Sequence, residues 1–385
     1  MFHVQIDKVI QQTVSLLYYI GIWHRGDEPT AKELRTKFFY CIYYLMFLVS
    51  LVVGSVVSEK EDEAIFLVEA SIAIAVLTVK LWYLIWKQKP ILDLLNQIGV
   101  FSIRYEADVG VFNVKLRQFR KFVLLVCVMA TVACFEVLFV PFVAKKKNLI
   151  FEIGFPLDYK NSEIAFWIAN SFILTECVLS MITTFFFILI WYLLLSCSLR
   201  YNLLGSELKK LGQIISEETN DAISEKRKQI IFMQDLKASI VAHLHLKKLT
   251  DDLDSFSSNM FFLQFGTSGL CIYRSVYCLA FDVGDNLSKR FMHLLSLSYF
   301  IYDLFMITYF GNEIMLSSNR VSYSLFESDW IEQPQSTKKN IIIFGEYLKQ
   351  PHVLVIGKLY PLTLETFTRI LNSAYSMFNI LKSFQ

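Results

Sequence analysis

Six polar residues near the C-terminus, Glu365, Arg369, Asn372, Ser376, Asn379 and Ser383, recur at spacings of 4, 3, 4, 3 and 4. On a helix that spacing stacks them along one face. Such a stripe of carboxylate, guanidinium, amide and hydroxyl groups solvates water and ions; it does not suit covalent catalysis. The other faces carry Leu364, Phe367, Ile370, Leu371, Ala374, Phe378 and Leu381. A helix over Thr363–Gln385 is roughly 34 Å long at about 1.5 Å per residue, enough for a hydrocarbon core of about 30 Å. Polar groups at that depth face protein or water, not lipid. Two readings stay open: copies of this helix around an axis line an aqueous path, or the stripe packs on sibling helices of one subunit.

Other chemistry-bearing residues are sparse. Glu69, Glu136, Glu176, Arg274 and Asp303 interrupt apolar segments, where a charge is costly unless paired or wetted. Arg274 is a natural partner for one of the carboxylates, and Glu176 is the candidate for polar contact with a ligand. His243-x-His245 has no cysteine or carboxylate cluster at metal spacing beside it and reads as two histidines on a solvated helix. The seven cysteines (Cys41, Cys127, Cys134, Cys177, Cys197, Cys271, Cys278) lie in or at the ends of apolar segments. An odd count with none in a hydrophilic loop argues against a disulfide framework.

The elements that position these residues follow from composition. Of 385 residues 55% are hydrophobic and 19% charged, and the mean hydropathy is +0.45, which places the chain in the membrane class. A net charge of +2, with no basic, aromatic-interleaved patch, implies no nucleic-acid partner. No cofactor motif is present. Residues Met1–Thr36 are mixed polar with an amphipathic piece around Val9–Ile20, and no cleavable signal peptide is evident.

Seven apolar segments follow: Phe38–Val57, Ala64–Trp86, Phe122–Ala144, Ile164–Leu199, Ser255–Phe281, Phe291–Asn312 and Val353–Gln385. The expected fold is an all-α membrane protein of seven transmembrane helices. The fourth segment exceeds what a bilayer needs and is expected to tilt or to continue beyond it. The charged block Arg200–Asp254 reads as cytosolic extensions of the fourth and fifth helices. One set of alternate loops and tails holds 25 lysines and arginines, the other 8, which puts the N-terminus in the cytosol. Lys145-Lys146-Lys147 sits on the poorer side, as does Asn286-Leu287-Ser288, a glycosylation sequon facing outward.

Between the sixth and seventh spans, Ser336-Thr337 suggests an N-cap, Ile341-Ile342-Ile343-Phe344 an apolar face and Gln350-Pro351 a stop. That predicts a short cytosolic helix whose greasy face needs a partner. Pro361 suits the first turn of the final helix. The chain therefore divides into a cytosolic N-terminal segment (1–37), the first six membrane helices with their cytosolic extensions (38–316, including 200–254), a cytosolic anchor segment (317–352) and the last helix (353–385).

Gly311-Asn312-Glu313, Ser317-Ser318, Tyr323 and Trp330 resemble the sixth-to-seventh segment of insect odorant receptors. Pro351-His352, Gly357-Lys358, Leu362-Thr363-Leu364-Glu365-Thr366-Phe367 and Ser373-Ala374-Tyr375-Ser376 resemble their final-helix signature. The resemblance implies a ligand-gated, non-selective cation channel in the plasma membrane of olfactory sensory neurons, with this chain as an odour-specific subunit. It also implies a heterotetramer with a shared odorant co-receptor, last helices lining the pore, and short cytosolic helices anchoring the subunits. In the co-receptor a valine and, three residues later, a glutamine form the gate. Ungapped counting puts Ile380 and Ser383 at those positions, with Asn372, Ser376 and Asn379 lining the path. Ile380 keeps an apolar constriction; Ser383 departs from glutamine.

The resemblance further implies an odorant pocket in the extracellular half of the bundle. The topology then selects Val68, Ser71 and Ile72 on the second span, Thr131, Phe135 and Leu138 on the third, and Phe172, Ile173 and Glu176 on the fourth. Tyr273 and Tyr277 on the fifth and Leu294 and Leu297 on the sixth complete the set. Aromatic and aliphatic walls with a few polar groups suit a small volatile held by shape, and equally suit plain bundle packing. A G-protein-coupled chemoreceptor is the alternative. It requires an extracellular N-terminus, and its usual Asn-Pro-x-x-Tyr is absent from the last span. A transporter would show interrupted internal repeats, and an enzyme Gly-x-Ser-x-Gly or His-Glu-x-x-His; neither pattern is visible.

Overall fold

Where apolar residues run longer than a bilayer is thick, the helices do the same. The computed structural model describes residues 2–58, 60–143, 149–212, 225–281 and 287–384. Lys145–Lys147, Asn286 and the side chain of Ser383 lie outside the described residues. Ten helices are described: α1 (Lys8–Tyr19), α2 (Ala31–Val57), α3 (Glu61–Trp86), α4 (Gln88–Gly99) and α5 (Glu106–Val143), then α6 (Glu163–Lys209), α7 (Glu225–Phe281), α8 (Leu287–Phe326), α9 (Gln335–Leu348) and α10 (Leu364–Phe384). Two small antiparallel pairs accompany them, β1 (Phe2–Val4) with β2 (Phe101–Ile103) and β3 (Val355–Ile356) with β4 (Tyr360–Pro361).

Local chemistry starts these helices where they start. Asp7 accepts from the Val9 amide at 2.9 Å to cap α1. Thr30 and Glu33 close a reciprocal capping box on α2. The Asp7 carboxylate also takes Arg120 Nη2 at 2.7 Å, and its amide donates to the Tyr192 hydroxyl. One aspartate thus ties the N-terminal segment to α5 and α6. At about 1.5 Å per residue, α6 (47 residues) and α7 (57 residues) reach roughly 70 and 85 Å, more than twice a hydrocarbon core. Within the block 200–254, α6 continues to Lys209 and α7 begins at Glu225. Helix α6 is the central post: every residue from Phe186 to Leu199 is buried.

Five described helices are long and apolar enough to cross a membrane by composition: Ala31–Val57, Glu63–Trp86, Glu106–Phe139, Glu163–Lys209 and His293–Phe326. The other two expected spans, in α7 and α10, are more polar for a structural reason. In α7, Ser257, Gln264, Ser268 and Ser275 are buried inside the bundle and never meet lipid. In α10 the polar residues form the exposed seam.

Three residues or motifs sit differently from what their sequence context suggests. Pro361 lies in β4, paired with Val355, and α10 begins at Leu364, its Thr366 amide donating to Thr363 Oγ1. A proline in a paired edge strand gives up no ladder bond on its open side. Ser336-Thr337 does not cap α9: that helix begins at Gln335 behind Pro334, with Thr337 buried within it. His243 is not solvated. It is buried between Tyr201, Phe344 and Tyr347, while His245 alone of the pair is exposed.

A buried charge chain that the sequence reading overlooked crosses the bundle. Lys80 of α3 donates to Gln264 Oε1 of α7, and the Gln264 amide donates to Asp303 of α8 and to Ser268 Oγ at 2.8 Å. Lys80 is 2% exposed and Asp303 3%, and the ammonium also sits 3.6 Å from the centroid of the Phe187 ring. Removing one partner strands the other charge in apolar surroundings, at a cost of about 3–5 kcal/mol, whereas replacing both ends by apolar groups of similar volume is close to neutral. Asp303→Asn is therefore expected to lower the melting temperature of the purified receptor and its amount at the cell surface. Lys80→Met with Asp303→Leu is expected to restore most of both, as read by thermal unfolding and surface labelling.

Candidate functional site

Three places in this frame bear on function: the outer end of the bundle, the last helix, and the cytosolic junction from which that helix departs.

At the outer end, close backbone packing seats the segment before α6 on α2. Gly154 donates to Ser50 O at 2.8 Å, and a Cβ on Gly54 would come within 2.6 Å of Glu152 O. Only glycine permits that approach. Phe151 then stacks on Phe66 at 5.5 Å. Phe172 is ringed by Tyr43, Phe47 and Phe155, with centroids 5.2, 5.5 and 5.8 Å away. Ile173 is fully buried in the same cluster, and Ser71 is buried nearby on α3. One turn below, Glu176 is 1% exposed, and among the described residues neither carboxylate oxygen has a hydrogen-bond partner. Tyr43 and Tyr44 lie within its electrostatic reach.

Of the other candidate ligand residues, Tyr273 and Leu297 are half-buried against the main core, and Tyr277 is half-buried beside Arg274. Val68, Ile72, Thr131, Phe135, Leu138 and Leu294 turn outward from the bundle. Phe135 stacks there on Phe139 at 6.1 Å, and Thr131 bonds its own helix at Cys127 O. The structure thus gathers Ser71, Phe172, Ile173 and Glu176 at the α2–α3–α6 junction and leaves six candidates on the outer face. Among the intramembrane charges, Glu69 lies within electrostatic reach of Arg274 and beside the Cys271 thiol. None of the seven cysteines is joined to another in a disulfide.

Helix α10 packs through Phe367, Ile370, Leu371 and Ala374 on α7 and α8, with the Phe367 ring edge-on to Phe305 at 5.7 Å. Glu365, Arg369, Asn372, Ser376 and Asn379 all lie on its exposed side. Ile380 is 56% exposed. The stripe therefore does not pack on sibling helices of its own subunit, which removes one of the two readings left open by spacing.

The inner end of α10 is fastened by the motif residues. The β3–β4 hairpin is closed by Leu362 N to Leu354 O at 2.8 Å. It is held to α7 by Val355 N to Asp254 Oδ1 at 3.0 Å and by Ser258 Oγ to Val355 O at 2.6 Å. The His352 amide donates to Ser318 Oγ at 2.9 Å, which joins the two halves of the signature. A Cβ on Gly311 would meet the Leu362 side chain at 2.5 Å, so this glycine exists to let the hairpin close. Beside it, Ile341 and Phe344 of α9 are buried, whereas Ile342 and Ile343 are exposed. Met233, Leu236, Ile240 and Leu244 of α7 face Ile343, Phe344 and Tyr347 across an open groove of about 490 Å³.

A family model described as 7tm odorant receptor matches residues 60–375. The chain belongs to that family. Odorant receptor 94a of Drosophila melanogaster is 23% identical over 329 residues, covering 84% of this chain and 81% of that relative. Odorant receptor 22a of the same fly is 25% identical over 257 residues, covering 65% of this chain and 60% of the relative. The fold is that of the solved insect olfactory receptor OR5 from Machilis hrabei. The eugenol complex of OR5 superimposes with a TM-score of 0.82 at 13% identity and 98% coverage of both chains, and OR5 without eugenol with 0.80 at 12%. This odorant receptor is accordingly a multi-pass membrane receptor and not an enzyme, in a family that is in general one of ligand-gated cation channels. The G-protein-coupled alternative is not favoured.

The cytosolic junction carries a pH dependence. Burial, with Lys247 and His352 adding to it, lowers the His243 imidazole from 6.5 to about 4. A lowered folded-state value means that the unfolded chain binds the proton first, so stability is full above about pH 6.5 and declines as pH falls towards 4. Thermal unfolding of the purified receptor between pH 7.5 and 4.5 should show that decline, and His243→Phe should reduce its slope. An unchanged slope would mean that other groups set the acid sensitivity.

Proposed function

We propose that this receptor is the odorant-binding subunit of a heterotetrameric cation channel formed with the odorant co-receptor in the plasma membrane of sensory neurons. Helix α10 lines the conduction path with Asn372, Ser376, Asn379 and Ser383, and Ile380 forms the apolar constriction. The observation that carries this reading is the outward-facing seam of α10. Amide and hydroxyl side chains on the lipid side of a membrane helix are costly, whereas facing water between subunits they are satisfied. The segment 317–352, with the exposed Ile342 and Ile343 of α9, supplies the cytosolic contact between subunits.

The ligand is a small volatile seated at the outer α2–α3–α6 junction and its α7–α8 neighbours, against the inward set Ser71, Phe172, Ile173, Glu176, Tyr273, Tyr277 and Leu297. The outward set, Val68, Ile72, Thr131, Phe135, Leu138 and Leu294, contributes to the lipid face. Gating is a population shift: the ligand opens the path only as far as it binds the open bundle more tightly than the closed one.

Co-expression with the co-receptor and current recording tests both assignments. Ile173→Val and Tyr277→Phe remove one methyl and one hydroxyl and are expected to change half-activating concentrations by roughly tenfold for some odorants and not others. Ile380→Ser is expected to raise the current without odorant. If the odorant ranking and the basal current both stay as in the parent channel at equal surface amount, the roles given to these residues are wrong.

A further inference from the structure

The seam of α10 contains one residue at odds with cation passage. Arg369 lies eleven residues before Ile380, and at about 100° and 1.5 Å per residue it points within roughly 20° of the same direction, about 16 Å nearer the cytosol. Whatever Ile380 faces, Arg369 faces too. Its guanidinium is exposed and held by Glu365 one turn earlier, Nη2 to Oε1 at 2.6 Å. These are the only charged residues from Leu364 to Ile380. Glu365 sits in the first turn of α10, where the unpaired amides of the helix end favour an acid. An exposed i,i+4 pair adds little to stability. Its larger consequence is for the field: the pair has no net charge, and a lone guanidinium would.

We propose that Glu365 neutralises Arg369 at the cytosolic mouth of the path and thereby keeps that mouth permissive for cations. This rests on the pore-lining role of α10 proposed above. Rings of fixed charge set the sign of ion that a pore admits, and at physiological salt a fixed charge is felt over about 8 Å. With Glu365 in place, a passing cation meets a dipole whose field falls off faster than that of a charge. Without it, the cation meets a positive collar.

The test uses the complex with the co-receptor, single-channel recording in sodium chloride gradients, and surface labelling. Glu365→Gln is expected to lower cation conductance roughly two- to threefold at low ionic strength and less at physiological salt, with the reversal potential moving towards that of chloride. Arg369→Gln is expected to move both quantities the opposite way, and it keeps the test open if Glu365→Gln fails to reach the surface. The double variant is expected to return close to the parent channel. A separate arm, Asn379→Cys with a charged thiol reagent and the parent complex as control, reports on the pore role alone. Block of Asn379→Cys, with conductance indifferent to both single charge variants, overturns the proposal and leaves the pore reading standing. No block and no conductance change overturn both. Conductance changes that the double variant fails to reverse also overturn the proposal, since compensation is its content.

Discussion

A charge with no water to turn to must find its partner in the protein, and in this receptor that constraint falls on Lys80. Its ammonium reaches Asp303 through the side-chain amide of Gln264 and leans on the Phe187 ring. Four helices, α3, α6, α7 and α8, therefore meet at one buried point. Apolar packing alone tolerates small slips between helices, because dispersion is non-directional. A buried amide bridging an ammonium and a carboxylate does not tolerate them, since either end left unpaired is heavily penalised. The relative height of α7 and α8 is thereby set. Those two helices carry α10, with Ile370 against Gly269 and Phe367 against Phe305.

With one side of α10 fixed on that pair, its orientation leaves no freedom for the seam. Asn372, Ser376 and Asn379 must face away from their own subunit. The cytosolic α9 presents an unsatisfied surface of the opposite chemistry, the exposed Ile342 and Ile343, with Ile343 sharing a groove with the exposed Leu244 of α7. An exposed polar seam in a membrane and an exposed apolar patch in the cytosol are both costly in a lone chain. The proposed assembly would relieve both: copies packed in the cytosol would cover the patch, and the same copies in the bilayer would enclose water along the seam. The two surfaces lie on consecutive helices joined by a short hairpin, so one assembly serves both.

Much of this was legible from periodicity. The 4-3-4-3-4 spacing identified the seam before any coordinate, because helix geometry converts spacing into direction without help from the rest of the fold. What spacing could not say was which way the stripe turned, since that depends on where α7 and α8 offer a groove. Lys80 stands in the sequence within Leu77-Thr78-Val79-Lys80-Leu81-Trp82, near the inner end of an apolar run, where lysine commonly snorkels. Only the arrival of Gln264 and Asp303 from distant segments distinguishes pairing from snorkelling. His243 was misread for the converse reason: its own helix is highly charged, and the rings that bury it, Tyr201 and Phe344, come from α6 and α9. The candidate ligand residues show the same gap: topology selects a depth on each helix but no face, and in the fold Ile173 and Glu176 turn inward while Val68 and Phe135 turn out.

The fastening of α10 constrains how a pore built from it opens. Its inner end is bound by the β3–β4 hairpin, by Asp254 and Ser258 of α7, and by the close seat of Leu362 on Gly311. Shifting that end would break several part-buried hydrogen bonds at once. Among the described residues the outer half carries no such set of hydrogen bonds to α7 and α8, and Tyr375, Met377 and Ile380 are exposed there. A helix pinned at one end and loose at the other tilts about the pinned end, and a given angle moves its outer residues furthest. About 20 Å separates Phe367 from Ile380 along the axis, so a tilt of roughly 10° carries Ile380 about 3–4 Å while hardly disturbing the hairpin. A constriction at the outer end is thus the one place on α10 where a small tilt changes the width of the path most. The candidate ligand residues, on the outer halves of α3, α6, α7 and α8, lie at that same end of the bundle, where a change in packing has the longest lever on it.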